Sequence, residues 1–177
     1  MEGNVARNLY EVMEGAVMLY KLLPDGRRQV VELISPGDVF GFGLEDIHDC
    51  SAETLMPTRL CIISQDAVDR CPEIQKRLLQ HTREQLLHMH HHAVLLGRKS
   101  AMERVASFIE RLARTGGAAE SLRLAMTRQE IADYLGLTIE TVSRSFSELR
   151  RRGLVICERQ DRIRVPDLKG ISQLTGA

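Results

Sequence analysis

The chain contains no tryptophan, and aromatic residues make up only 4% of its 177 positions. So few flat rings argue against a surface built to stack sugars or bases. No apolar run approaches the roughly 20 residues that cross a bilayer, so no membrane partner is expected. The opening stretch MEGNVARNLY lacks the apolar stretch of a secretion signal, which makes the cytoplasm the expected location. Cysteine is sparse too: Cys50, Cys61, Cys71 and Cys157 show no C-x-x-C spacing and no framework pattern. They read as reduced thiols rather than disulfide partners. No P-loop, nucleophile triad or paired-carboxylate site stands out, so no enzyme activity is expected.

Net charge is also missing, but only as a sum. Residues 1–97 hold 9 Lys and Arg against 14 Asp and Glu, whereas residues 98–177 hold 15 against 10. The two halves are different devices, and the basic second half suits a polyanion such as DNA.

What is present changes character along the chain. Val17 to Leu23 runs into Pro24-Asp25-Gly26, and Arg27 to Leu33 runs out again. Pro sets φ and Gly takes the left-handed position, so this is a hairpin. Ser35-Pro36-Gly37-Asp38 marks a second turn, and Val39–Phe42, Ala52–Leu55 and Arg59–Ile63 read as short strands. Short strands with Gly/Pro turns predict a sandwich or β-roll over residues 1–70.

From Cys71-Pro72 to about Leu96 neither Gly nor Pro interrupts, which predicts one long helix over 71–97. Leu79, Thr82, Leu86, Met89, Ala93 and Leu96 recur at steps of three and four, the seam of a two-stranded coiled coil. Leu78, Leu87 and Val94 lie off that seam and are expected to pack on the rest of the chain. A second helix is expected from about Ser100 to Arg114, then a loop at Thr115-Gly-Gly-Ala-Ala.

Residues 127–152 carry the sharpest pattern. Thr127-Arg-Gln-Glu130 is a capping box. Ile131, Ala132, Tyr134 and Leu135 follow, Gly136 ends the helix, and Thr138 caps the next. That helix carries Ile139, Val142, Phe146 and Leu149 on one face and stops at Gly153. Crossing two helices closely needs a small residue (Ala132), a φ-permissive turn (Gly136) and an apolar plug (Val142), here four and then six residues apart. That is the spacing of a helix-turn-helix, placed at 128–147. Its second helix offers Glu140, Ser143 and Arg144 for base edges. Thr127, Arg128, Gln129, Thr138 and Thr141 lie near helix starts, suited to phosphate. Taken alone, Glu140 and Arg144 are equally an i,i+4 surface ion pair. Leu154–Ile156 and Arg162–Val165 read as the two strands of a wing.

With these motifs in place, the chain resembles the Crp/Fnr family of bacterial regulators, in its Fnr/FixK branch. The likeness is dense in LLGRKSAMERVASFI and MTRQEIADYLGLTIETVSRSFSELRRRGL, and extends to LYEVMEGAVMLYKLLPDGRRQVVELISPGDVFGF. The resemblance implies an α+β chain: a partial cyclic-nucleotide-binding-like β-roll, a long dimerisation helix, and a C-terminal winged helix-turn-helix over 98–177. It implies a homodimer on double-stranded DNA, with activation or repression through RNA polymerase, activation being the favoured direction. In this branch E-x-x-S-R reads a TTGAT half-site, and here those residues are Glu140, Ser143 and Arg144. The cyclic-AMP branch places an Arg just before the Glu, where this chain has Ile139. Family members carry several tens of residues ahead of the stretch matching Glu2-Gly3, so the roll is expected to lack its first strands.

The cyclic-nucleotide branch cradles phosphate with Gly-Glu-Leu and Arg-Ser. This chain has Gly41-Phe42-Gly43 and Cys50-Ser51, without the carboxylate and the guanidinium, which argues against a cyclic nucleotide. An alternative is an oxygen, redox or NO sensor carrying an iron–sulfur cluster or haem. Cys61 matches the roll cysteine of the iron–sulfur members, but a cluster requires more thiolates, which only a further N-terminal segment would supply. Here Cys61 reads as a core residue, Cys71 and Cys157 as structural or incidental, and no cofactor is expected. His88, His90, His91 and His92 read as a solvated helix face, since only His88 and His92 share a side and no nearby acid or Cys completes a metal site. A cupin-like enzyme with an appended winged helix would need several metal ligands inside the roll, and residues 1–70 offer only His48.

Overall fold

A computed structural model describes residues 1–44, 46–115 and 121–175. The chain divides into two compact units, Met1–His92 and Ala93–Ala177.

The first unit begins with β1 (Asn8–Glu14), β2 (Val17–Leu22), β3 (Arg28–Ile34) and β4 (Val39–Phe40). Then come β5 (Gly43–Leu44), β6 (Ile47–His48), β7 (Ser51–Thr54) and β8 (Arg59–Ser64). The hairpin forms as its sequence requires: Gly26 takes φ +84° and Leu22 pairs with Arg28. Two antiparallel sheets result, ordered β4-β1-β8 and β3-β2-β7, with a small β5-β6 ribbon. Val12 of β1, Val17 of β2, Ile34 of β3 and Phe40 of β4 close one core between the two sheets.

β1 is a strand that periodicity does not announce. Its ladder with β8 shifts register between Val12 and Glu14, and Glu11 sits mid-strand. That acid pairs with Arg77 of the following long helix, a partner distant in sequence.

After α1 (Gln65–Arg70), α2 runs from Pro72 to Arg98, about 40 Å at 1.5 Å per residue, and passes into the second unit. Leu78 is buried with Leu9 and Val39. His81, one turn on, is also buried, with Nε2 3.0 Å from both the amide nitrogen and the carbonyl oxygen of Val39.

Two expectations are corrected here. Cys61 is exposed, because its strand β8 is the outer strand of its sheet and lies almost wholly at the surface. Leu87 and Val94, expected to pack on the rest of the chain, are left mostly uncovered, at 57% and 56% exposed. α2 meets the roll along its first half, where Leu78 packs in the core and Gln85 Nε2 donates to Val39 O at 3.2 Å.

The second unit continues with α3 (Ala101–Thr115), β9 (Leu122–Arg123), α4 (Arg128–Leu135) and α5 (Ile139–Arg151). It ends with β10 (Ile156–Arg159), β11 (Arg162–Arg164) and α6 (Leu168–Leu174). The loop expected after Thr115 lies outside the described residues. Val105, Ala106, Phe108 and Ile109 of α3 are buried, as are Ile131, Val142, Phe146, Leu149 and Ile163. Each large side chain so buried contributes about 1.5–3 kcal/mol. α6 is held to α3 by Ser172, whose Oγ donates to Glu110 Oε1 at 2.6 Å. The sheet is ordered β10-β11-β9; its hairpin was legible, whereas β9 is too short for any pattern.

Candidate nucleic-acid interface

The start of α4 is closed by a reciprocal cap. Thr127 Oγ1 accepts from the Glu130 amide at 3.2 Å, and Glu130 Oε2 accepts from the Thr127 amide at 2.6 Å. Two of the orphan amides of a helix start are thereby satisfied. The helix ends at Gly136, whose φ of +61° is left-handed. Both Gly136 and Leu137 donate their amides to Ala132 O. Thr138 then caps α5 by accepting from the Thr141 amide at 3.3 Å. Ala132 and Val142 are fully buried where α4 and α5 cross, so the small-residue and plug positions are filled as expected.

Burial splits α5 lengthwise. Val142, Ser145, Phe146 and Leu149 face the core. Ile139, expected on that face, is 37% exposed at the helix's first position, a further correction. Glu140, Ser143 and Arg144 lie together on the exposed side. Ser147 and Arg151 extend that row, forming with Ser143, Arg144 and Glu148 a shallow groove. They stand four and eight residues beyond Ser143, a helical spacing that could have announced them in the sequence.

The electrostatics of this face are organised. The Glu140 carboxyl is held below its ordinary range by its own backbone amide, then by Thr138, with Arg144 adding attraction. Arg144 Nη2 donates to Thr141 Oγ1 at 3.3 Å, which leaves the guanidinium near the helix start. Glu148 is pulled down to about 2 by hydrogen bonds from Arg151 and Arg152.

The residues expected near phosphate are placed differently from one another. Thr127 and Thr138 act as caps. Thr141 Oγ1 lies 3.1 Å from Thr138 Oγ1. Gln129 Nε2 donates to Asp133 at 2.7 Å. Arg128 folds over the Phe146 ring, where desolvation lowers its pKa. On the wing, Arg159, Arg162 and Arg164 are exposed.

The roll encloses a separate cavity of about 530 Å³, lined by apolar side chains such as Tyr10, Leu19 and Phe40. Its charged lining among the described residues is Lys21 against Glu32, Asp49 and Glu53. Lys21 already lies 3.8 Å from Asp49. Glu53 in turn lies 3.2 Å from Arg28. Lys21 is thus already engaged, and a cyclic phosphate would find three carboxylates on the wall beside it. Cys50, on the same wall, is pushed up to about 11 by burial and by Asp49. Among the described residues no group of three His, Cys, Asp or Glu could hold a metal ion.

The seam residues of α2 are mostly uncovered. Leu79, Leu86 and Met89 are 55%, 51% and 58% exposed, and Thr82 and Ala93 are also exposed. Leu96 differs: it is half-buried, with its Cδ2 beside Gly136.

Known proteins share this architecture. Residues 103–174 match the family described as the Crp-like helix-turn-helix domain, and residues 1–74 the cyclic nucleotide-binding domain. The nitrogen fixation regulation protein FixK of Bradyrhizobium diazoefficiens is 44% identical over 162 residues, covering 87% of this chain and 68% of that protein. The transcriptional activatory protein AadR of Rhodopseudomonas palustris is 38% identical over 184 residues, covering 99% and 77%. The solved structure of FixK2 from Bradyrhizobium japonicum superposes with a TM-score of 0.92 at 37% identity, over 99% of this chain and 91% of that one.

Proposed function

The chain belongs to the Crp/Fnr family as a DNA-binding transcription activator of the Fnr/FixK type, and on that premise we propose how it reads its operator. Glu140, Ser143 and Arg144 contact base edges of a TTGAT-like half-site in the major groove. Arg clasps guanine O6 and N7, Glu accepts from cytosine N4, and Ser serves either partner of a pair. Thr127, Arg128, Gln129, Thr138 and Thr141 fix the register on phosphate, aided by the amides at the starts of α4 and α5.

The observation that carries this reading is the lengthwise split of α5. One face is buried to the last atom at Val142 and Leu149. The opposite face presents one acid, one hydroxyl and one guanidinium at the helix end that enters the groove.

The reading extends to a cytoplasmic homodimer. Residues 1–70 serve as the effector-type roll, 71–97 as the dimer helix and 98–177 as the DNA-binding domain. Two copies join through Leu79, Thr82, Leu86, Met89, Ala93 and Leu96, and present their heads to half-sites about 34 Å apart. RNA polymerase is the partner through which bound dimer changes transcription. No resident cofactor enters this scheme.

The test is Arg144→Ala, measured on a TTGAT palindrome and on random duplex. The expected result is a loss of about 1–3 kcal/mol on the palindrome alone, with weak salt-sensitive binding to random DNA retained. Equal loss on both duplexes overturns the base-reading role of Arg144.

A further inference from the structure

Arg104, at the start of α3, places its guanidinium where three elements meet. It donates to backbone carbonyls throughout. Nη2 reaches Leu96 O at 2.7 Å in the last turn of α2, and Nε reaches Lys99 O at 2.9 Å between α2 and α3. Nη1 reaches Leu135 O at 2.9 Å and Gly136 O at 3.4 Å, at the end of α4.

Leu96 and Leu135 both lie in final helical turns, where carbonyls lack intrahelical donors and the helix dipole is negative. One cation therefore caps the C-terminal ends of two helices at once. A planar fork with five N–H groups suits such spread acceptors, whereas an ammonium concentrates its donors at one point. A second contact reinforces the junction: Leu96 Cδ2 lies 3.5 Å from the position a Cβ would take on Gly136.

We propose that Arg104 is a positioning residue for operator recognition: it locks the last turn of α2 to the turn of the helix-turn-helix, and so fixes the direction in which the long helix leaves the reading head. This rests on the reading of α4 and α5 as one DNA head of a dimer joined through α2. Two heads on one dimer bind with the benefit of effective concentration only when their geometry matches the spacing of the half-sites. The Arg104 lock supplies that match, and Arg104 itself touches no DNA.

Two measurements on the full chain test the proposal. In the first, nitroxide labels at exposed Val94 on α2 and exposed Ser147 on α5 report the distance distribution without DNA. It is narrow in the parent and broad in Arg104→Ala; equal widths overturn the lock. In the second, binding is compared on a single TTGAT half-site, on the palindrome, and on palindromes with the spacer lengthened or shortened by a few base pairs. Arg104→Ala loses about tenfold or more on the preferred spacing, keeps its half-site affinity, and binds the altered spacings almost equally well. Arg104→Lys behaves like Arg104→Ala. Equal loss on half-site and palindrome, spacing preference retained in Arg104→Ala, or full rescue by Arg104→Lys each overturn the proposed role. If the labels respond but the parent shows no preference for the palindrome over random DNA, the lock stands and its role in operator recognition is overturned along with the reading of the head.

Discussion

The guanidinium carbon of Arg128 lies 3.6 Å from the centre of the Phe146 ring, so the first residue of α4 is stacked on the aromatic core residue of α5. A stacked guanidinium keeps its N–H edge free for a phosphate while its face is occupied by the ring. On the proposed reading, stability and DNA affinity meet in this one side chain. Arg128→Ala is expected to destabilise the second unit by about 1 kcal/mol, read from urea unfolding. The same variant is expected to lower the slope of log affinity against log salt by about 0.9, the signature of one phosphate contact. A lowered stability with an unchanged slope would leave Arg128 as a purely structural stack.

The turn between α4 and α5 depends on Gly136. A Cβ there meets nothing closer than 3.5 Å, so space is available. The φ of +61° is the obstacle, because an L side chain in the left-handed region costs about 1–2 kcal/mol. Gly136→Ala is expected to lower stability by about 1 kcal/mol after the reduced freedom of its unfolded chain is counted. Denaturant unfolding with an unchanged m-value is the check.

Glu148 should titrate far below an ordinary carboxyl. Its folded pKa is depressed from 4.5 to about 2 by Arg151 and Arg152. A depressed folded value means that the pairing contributes stability fully above about pH 4.5, and that this is lost as pH falls through about 2. The pairs lie at the protein surface, with both arginines exposed, so the effect belongs to local order rather than to global stability. A carbon-detected NMR titration should show the low midpoint, and replacing both arginines by alanine should return it towards 4.5.

The seam of α2 should control assembly without controlling folding. Leu79 and Leu86 are more than half exposed in one chain. Leu79→Lys with Leu86→Lys is therefore expected to leave the helical circular dichroism intact while sedimentation reports monomer. Dimer retained in this variant would move the interface elsewhere.

Much of the reading head was legible because its grammar is local. The capping box of Thr127 and Glu130, the left-handed Gly136 and the Thr138 cap each depend on residues within a few positions, and each formed. The Pro24-Asp25-Gly26 hairpin formed for the same reason. Where the outcome depended on a distant partner, pattern failed. β1 contains a register shift and a mid-strand Glu11 that pairs with Arg77, far along the chain. Cys61 reads as apolar in an apolar strand, yet that strand is the outer one of its sheet. Periodicity places Leu87 and Val94 opposite a seam, but what covers a helix face is decided by where its neighbours end.

The reading head with which residues 127–152 announce themselves was thus determined by sequence alone: caps, turn, buried plug and exposed Glu140, Ser143 and Arg144 follow from short-range sterics and hydrogen bonding. How that head is joined to the long helix was decided only in three dimensions. Arg104 brings together the carbonyls of Leu96 and Leu135, which lie in separate helices. No spacing rule announces such a junction, because backbone carbonyls are present at every residue and only the fold determines which of them point at one guanidinium.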